Sequence, residues 1–264
     1  MNLGLTNKVA IVLGASKGLG KGVAKALAQE GVNVVIGARE EKTLSKTARD
    51  IQKLTKSKIL AIPTDVGKSK NLETIVERTV KEYGKINILV NNAGGPPAGI
   101  FESIKDEQWQ KAFEQNLLSA VRLIRLVLPQ MKKSGSGRII NMVSTSVKEP
   151  VDNLILSNAI RASVIGMAKT LSREFAPFNI TVNNVCPGRF LTDRIRHLYN
   201  IDERSAQGVS PEKVYSEAVK DIPLQRLGNI EEFGALVAFL ASEQAGYITG
   251  TTIQIDGGLV RSIF

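Results

Sequence analysis

The chain has 264 residues, and 43% of them are hydrophobic, which is enough to bury the core of a single α/β domain. A single cysteine, Cys186, excludes an internal disulfide, and a single histidine, His197, leaves no ligand set for a structural metal ion. No run approaches the ~18 to 20 apolar residues of a membrane helix, and the start MNLGLTNKVA lacks the apolar stretch of a signal peptide. We therefore expect a soluble, cytoplasmic protein that uses neither a metal nor a membrane.

The net charge bears on the choice of partner. A formal charge of +10 suits an anionic partner such as nucleic acid, a phosphorylated cofactor, an acyl thioester or an acidic carrier protein. Basic residues are densest in 121–138, a stretch without acidic residues that is equally typical of a solvated face. Aromatic residues make up 5% of the chain and do not alternate with basic ones, so we expect no nucleic-acid partner.

Short runs rich in β-branched residues alternate with longer amphipathic stretches. The runs predict seven strands, at 8–14, 32–38, 58–64, 86–92, 137–143, 180–186 and 251–257. Their apolar character on both faces, and intervening stretches long enough for right-handed crossovers, favour a parallel sheet covered on both sides. The pattern predicts one domain over 1–264: a doubly wound, Rossmann-type α/β fold with a seven-stranded parallel sheet and helices on both faces.

Three of the intervening stretches carry apolar side chains at the 3.6-residue spacing of a helix that packs on a core. They are Leu44, Ala48, Ile51 and Thr55; Leu72, Ile75, Val76, Thr79 and Val80; and Trp109, Phe113, Leu117, Val121 and Ile124. After the sixth predicted strand, the segment 188–228 is rich in charge, glycine and proline. We expect this segment to form a lid over a site.

The first predicted strand runs into a helix through a glycine-rich loop, LGASKGLGKGVAKAL. Glycines allow a sharp turn and a close approach of the backbone to a pyrophosphate, and the start of the helix presents free amides and a positive dipole end. A tight turn without a ligand would need the same glycines. The candidate dinucleotide-binding residues here are Gly14, Ser16, Lys17, Gly18, Leu19 and Gly20.

The end of the second predicted strand indicates which dinucleotide is bound. NAD sites place an acidic residue there to bind the ribose 2'-hydroxyl, but this strand ends in Ala38 and Arg39. A guanidinium can form a forked, charge-assisted contact with a 2'-phosphate, and Lys17 is predicted at the same corner. The sequence therefore favours NADP(H) as the cofactor.

Several spaced motifs together resemble the short-chain dehydrogenase/reductase family, in its 3-oxoacyl carrier-protein reductase and carbonyl reductase branch. They are GASKGLG (14–20), Asp65, NNAG (91–94), QNLLSA (115–120), NMVS (141–144), NVCPGRFLT (184–192) and YITGTTIQIDGG (247–258), and they cover nearly the whole chain. The resemblance implies that Asp65 and Val66 lie near the adenine, Asn91, Asn92, Ala93 and Gly94 near the ribose, and Pro187, Gly188 and Thr192 near the nicotinamide carboxamide and diphosphate. It also implies a homodimer or homotetramer, assembled through 106–133 and 154–176.

The catalytic tetrad of that family is matched only in part. Asn116 and Ser144 stand where the family has Asn and Ser, but Ser157 replaces its tyrosine and Arg161 replaces its lysine. Positions 157 and 161 are one helical turn apart and are expected to face the nicotinamide ribose together. A serine does not ionise usefully and is shorter than tyrosine by a whole ring, whereas Arg161 can still bind ribose hydroxyls. Ser157 could also merely turn the chain into the helix, and Arg161 could be a solvated charge.

A reductase without the tyrosine needs another route for its proton. Losing a general acid costs about 10² to 10⁴ in rate, so slow turnover would survive on positioning alone. Candidate replacements are Tyr199 and His197 in the predicted lid, and Lys148 and Asp152 after Ser144; each is also typical of an exposed loop residue. The sequence predicts an NADP(H)-dependent oxidoreductase acting on a carbonyl or alcohol, such as a 3-oxoacyl thioester. The alternative is an NADP(H)-binding sensor or partner subunit without turnover.

Overall fold

A computed structural model describes residues 2–193, 195, 199–200, 203–204 and 207–263. The strands are β1 (Val9–Leu13), β2 (Asn33–Ala38), β3 (Ile59–Pro63), β4 (Ile88–Asn91), β5 (Gly137–Met142), β6 (Ile180–Pro187) and β7 (Thr252–Ile255). The helices are α1 (Gly18–Gln29), α2 (Glu41–Leu54), α3 (Ser69–Tyr83), α4 (Asp106–Phe113), α5 (Ser119–Lys133), α6 (Ile155–Phe175), α7 (Pro211–Val219) and α8 (Ile230–Ala241). Short 3-10 turns occupy Phe101–Ser103, Thr145–Val147 and Ala176–Phe178.

The strands form one parallel sheet in the order β3-β2-β1-β4-β5-β6-β7. This order reverses between β1 and β4, and ligands of open parallel sheets bind outside the carboxyl ends of the strands at such a point. The predicted seven-stranded, doubly wound fold is confirmed. Strand bounds differ from the prediction by a few residues, most at β4 and β7, which are shorter than 86–92 and 251–257.

Helices cover both faces of the sheet. Side chains alternate along β1, so that Ala10 and Val12 pack with α1, α2 and α8, while Ile11 and Leu13 pack with α3, α5 and α6. The predicted stripes of α2 and α3 are buried at Leu44, Ala48 and Ile51, and at Leu72, Ile75, Val76 and Thr79. Thr55 lies just past the end of α2. Among the described residues, no helix combines the length and the apolar character needed to cross a bilayer.

The third predicted stripe is wrong in part. Phe113 is 44% exposed, whereas Ala112 and Asn116 are buried. The buried face lies one residue earlier than predicted, at Ala112 and Asn116, and a π-helical turn at Glu114–Leu118 joins α4 to α5. This turn carries Asn116 into the interior, toward the carboxyl ends of β4 and β5.

The segment 188–228 is fixed at both ends. Phe190 and Gly228 form a parallel β-bridge, and the Phe190 ring meets Phe233 of α8 edge-on, with ring centroids 5.5 Å apart. Between these ends, α7 packs on a small apolar cluster that contains Ile195, Ala218, Val219, Ile222 and Leu227. The segment therefore has its own small core, and its role as a lid stays a prediction.

Candidate active site

The glycine loop between β1 and α1 is tightly packed. Gly14 has φ +59°, and a Cβ on Gly20 would lie only 2.3 Å from the carbonyl oxygen of Gly14. Asn92 Nδ2, beyond the end of β4, donates to the carbonyl oxygens of Leu13 and Gly14 at 3.1 and 3.3 Å. These hydrogen bonds hold the glycine loop against the end of β4. They fix the loop in a conformation that leaves the start of α1 open to a phosphate.

The start of α1 keeps its amides available. Lys17 occupies the N-cap position, but its side chain does not cap the helix; its ammonium instead pairs with Asp193 at 3.2 Å. The carbonyl oxygen of Ser16 accepts a hydrogen bond from Thr47 Oγ1 at 2.7 Å. Thr192 lies over the loop, since a Cβ on Gly18 would be 3.6 Å from Thr192 Cγ2. The chain after β6 therefore lies against the predicted phosphate loop, and the contact of Thr192 with a cofactor stays a prediction.

The corner after β2 carries an exposed basic side chain followed by an acidic one that caps the next helix. Arg39 is exposed. The carboxylate of the next residue, Glu40, turns away and accepts hydrogen bonds from the backbone amides of Lys42 and Thr43 at 2.9 and 2.8 Å, at the start of α2. The Glu40 carboxylate is thus used to cap α2.

Asp65 and Val66 begin the loop after β3. Asp65 Oδ1 accepts the Gly67 amide at 3.1 Å, and the Asp65 amide donates to Asn71 Oδ1 at 3.0 Å. These bonds shape the loop, and Val66 then lines the central pocket. On the far side, the Gly188 amide donates to Ile255, and a Cβ on Gly188 would lie 2.6 Å from Asp256 Cβ, so Pro187 and Gly188 press against β7.

The central pocket is a small cavity at the carboxyl ends of β4 and β5. It brings together Asn91, Asn92, Ala93, Asn116 and Arg161. Asn91 Oδ1 and Asn116 Oδ1 are buried and accept no hydrogen bond from any residue that the structure describes. Such buried acceptors call for a donor from a bound molecule. A Cβ on Gly94 would meet no atom within 4 Å, so the backbone there borders open space.

Arg161 is 8% exposed and holds the floor of this pocket. Its Nη1 donates to the carbonyl oxygens of Met142 and Val143 at 3.0 and 3.1 Å, and its Nη2 donates to Ala93 at 3.4 Å. The guanidinium therefore ties β5 to the NNAG turn. The reading of Arg161 as a solvated helix charge is wrong, because burial and these three carbonyl contacts give it a defined place in the site.

The three serines near the end of β5 have different surroundings. Ser144 is half-buried, and its Oγ accepts the Ser146 amide at 3.1 Å. Ser157 is 7% exposed, and its Oγ lies 3.2 Å from Ser146 Oγ. Ser144 therefore has the most accessible hydroxyl of the three, and the Ser157 hydroxyl forms a hydrogen bond with Ser146. Sequence reasoning missed Ser146, although its place two residues after Ser144 in NMVSTSV was a usable signal.

The other proposed proton donors are less favourable. Tyr199 packs on the small cluster of 188–228 with Arg189 over its ring at 5.8 Å, and burial raises the pKa of its phenol while Arg189 opposes the rise. Asp152 is exposed in its loop, and His197 lies outside the described residues. Lys148 is half-buried and close enough to Cys186 to influence that thiol, whose pKa burial raises to about 12. Of the four, only Lys148 combines a described position with closeness to the site.

Comparisons with known proteins agree with this architecture. The family model described as enoyl-(acyl carrier protein) reductase matches residues 14–260. The NADPH-dependent reductase BacG of Bacillus subtilis is 33% identical over 98% of this chain and 100% of its own length, and the 3-oxoacyl-[acyl-carrier-protein] reductase FabG of Staphylococcus epidermidis is 34% identical over 96% and 99%. The crystal structure of L-sorbose reductase from Gluconobacter frateurii, complexed with NADPH and L-sorbose, superposes with a TM-score of 0.95 at 30% identity over all of both chains. With its glycine cradle, its π-turn asparagine and its seven-stranded sheet, this chain belongs to the short-chain dehydrogenase/reductase family.

Proposed function

We propose that the protein is an NADP(H)-dependent oxidoreductase that interconverts a ketone and its alcohol, with 3-oxoacyl thioesters among its substrates. The observation that carries the proposal is the accessible Ser144 hydroxyl beside a pocket with buried, unsatisfied acceptors and a locked glycine cradle. Relatives named as reductases that use or bind NADPH support the reaction class. The excess of basic residues, with a net charge of +10, suits an anionic thioester carrier.

The cofactor fits the residues that are present. The glycine loop would hold the diphosphate through the free amides of α1, and Arg39 would hold the 2'-phosphate. By the family resemblance, the site would be completed by Asp65, Val66, Asn92, Ala93, Gly94, Pro187, Gly188 and Thr192. NADPH, when bound, supplies hydride to the carbonyl carbon. The protein's own task is to place the substrate and to stabilise charge on its oxygen.

Ser144 is the residue that we assign to the substrate oxygen. Because its Oγ already accepts the Ser146 amide, its hydroxyl hydrogen is free to donate to a carbonyl oxygen. The buried Arg161 guanidinium adds fixed positive charge at the pocket floor, and Asn116 presents its carboxamide to the same pocket. The proton that completes the alcohol then comes from water near Ser144, because Ser157 is turned toward Ser146.

Oxidation of NADPH with a panel of carbonyl compounds, including 3-oxoacyl thioesters and ketoses, tests this function. Ser144→Ala should lower kcat about 10²- to 10³-fold, the usual cost of removing one hydrogen-bond donor to the developing oxyanion. Ser69→Ala, at an exposed position at the start of α3, is the matched control and should leave kcat unchanged. Tight NADPH binding without turnover of any substrate would instead favour a binding protein, a role that the buried Ser157 at the tyrosine position would suit.

We also propose that the chain forms a homodimer or homotetramer through α4, α5 and α6. Exposed aromatic side chains support this, since Phe113 at the end of α4 is 44% exposed and Phe101 before α4 is 72% exposed. Light scattering on the purified protein should give a mass of two or four chains. Phe113→Lys should shift that mass downward, and an unchanged mass would place the interface elsewhere.

A further inference from the structure

Four neighbouring strands are joined by a row of side-chain hydrogen bonds at equivalent positions. Asn91 Nδ2 on β4 donates to Asn141 Oδ1 on β5 at 2.9 Å, and Asn141 Nδ2 donates to Asn184 Oδ1 on β6 at 3.0 Å. Asn184 Nδ2 then donates to Thr252 Oγ1 on β7 at 3.2 Å. The four residues are in register in the sheet. We call this row the amide ladder.

The amide ladder begins at the central pocket and ends at the edge strand. Asn91 is 7% exposed, Asn141 is 2% exposed and Asn184 is 1% exposed, whereas Thr252 is half-buried. At the pocket end, Asn91 Oδ1 is a buried acceptor that no described residue satisfies. Asn116 lines the same pocket, and its Oδ1 is also a buried acceptor that no described residue satisfies. Its Nδ2 donates to the Ala112 carbonyl at 3.2 Å. Two residues that line the same small pocket thus each carry a buried acceptor that no described residue satisfies.

The direction of the amide ladder decides which atom of Asn91 faces the pocket. Each carboxamide has a donor side and an acceptor side, so reversing one of the three amides forces the other two to reverse. Thr252 tolerates both directions, because a hydroxyl can donate as well as accept. In the observed direction every donor points toward β7, which leaves an oxygen at the pocket.

We propose that this oxygen, together with Asn116 Oδ1, is a binding site for structural water that donates to both asparagines, and that the amide ladder couples the orientation of Asn91 to Thr252 on the edge strand. The pocket is lined by polar residues such as Asn92 and Arg161 and has room for a water molecule. Asn141, Asn184 and Thr252 are then positioning residues that act through Asn91. The site belongs to the folded chain itself and does not require turnover.

Neutron diffraction from crystals of the NADP-loaded protein in D₂O tests the water site directly, because it locates deuterium. We expect the Asn91 amide deuterons to point toward Asn141, and an ordered D₂O to direct its deuterons at Asn91 Oδ1 and Asn116 Oδ1. Either an Asn91 amide nitrogen facing the pocket or a pocket without an ordered water would overturn the proposal. This readout is independent of activity, so a failure of the proposed reductase function would be seen separately in the turnover assay.

The role of the amide ladder is tested at its far end, three strands away from the pocket. Thr252→Val removes the acceptor of the Asn184 amide, and a buried N–H without a partner is less tolerated than a buried carbonyl without one. We therefore expect all three carboxamides to reverse in this variant, so that Asn91 donates to the water. Thr252→Ser keeps the hydroxyl and should keep the wild-type direction. A Thr252→Val structure with the wild-type direction would show that the ladder does not position Asn91.

Discussion

Ser157 Oγ lies 3.2 Å from Ser146 Oγ, and both side chains are buried. Ser157, which the family resemblance aligns with the catalytic tyrosine, is thus paired with a neighbour that follows Ser144 on the chain. Because Ser146 and Ser157 are buried and Ser144 is half-buried, Ser144 is the most exposed of the three serines.

Restoring tyrosine at position 157 should not restore the family's site. Because Ser157 is 7% exposed, a phenol ring there overpacks its surroundings, and we expect Ser157→Tyr to lower the free energy of unfolding by about 1 to 3 kcal/mol. Ser157→Ala removes only the bond to Ser146 and should cost about 0.5 to 1.5 kcal/mol. Denaturant unfolding measures both. A Ser157→Tyr protein that is as stable as wild type and faster would contradict this view.

Arg161→Lys should destabilise the fold, although it keeps the positive charge. The guanidinium donates to the carbonyl oxygens of Met142, Val143 and Ala93 from a planar fork, which a single ammonium cannot reproduce. Leaving buried carbonyls without donors should cost about 1 to 3 kcal/mol of unfolding free energy. Arg173→Lys, at an exposed position of the same helix, is the control and should be neutral. Equal stabilities of the two variants would show that the contacts of Arg161 are dispensable.

Two glycines should respond in opposite ways to the same substitution. Gly20→Ala places a Cβ 2.3 Å from the Gly14 carbonyl, so the cradle must shift; we expect NADPH binding to be lost in calorimetry and stability to fall. Gly166→Ala, within α6, meets no atom within 4 Å and should stabilise the helix by up to about 1 kcal/mol. Unaltered NADPH binding by Gly20→Ala would place the nucleotide elsewhere.

Arg39 should determine the preference between the two nicotinamide dinucleotides. A charge-assisted hydrogen bond contributes about 1.5 to 3 kcal/mol, so Arg39→Ala should reduce the preference for NADPH over NADH roughly 10- to 100-fold. Titration of each nucleotide by calorimetry gives the ratio of Kd values. Arg78→Ala, an exposed arginine on α3, controls for the loss of net charge. If Arg39→Ala and Arg78→Ala change the ratio of Kd values equally, the preference for NADPH comes from the net charge of the protein and not from Arg39.

The start of α8 should make stability depend on acid pH. Two hydrogen bonds from the Arg226 guanidinium, and one from the Asn229 amide, lower the pKa of Glu232 from 4.5 to about 2. Because the folded-state pKa lies below the unfolded value, this contribution is present above about pH 4.5 and is lost as the pH falls toward 2. Glu232→Gln should therefore flatten the fall of Tm over this range. Glu73→Gln, at an exposed position of α3, should retain the wild-type slope.

The sequence by itself determined the seven parallel strands, the glycine loop at Gly14–Gly20 and the absence of an acid at Arg39, because alternation, helical periodicity and loop chemistry are local properties. Only the tertiary structure decided that Phe113 is exposed and that Asn116, in the π-turn at Glu114–Leu118, is buried. It also decided that Arg161 binds three carbonyl oxygens, that Ser157 meets Ser146, and that Asn91, Asn141 and Asn184 form one row. These contacts join residues from different strands and helices, and a side chain's partner across a sheet depends on strand order and register, which no local pattern specifies.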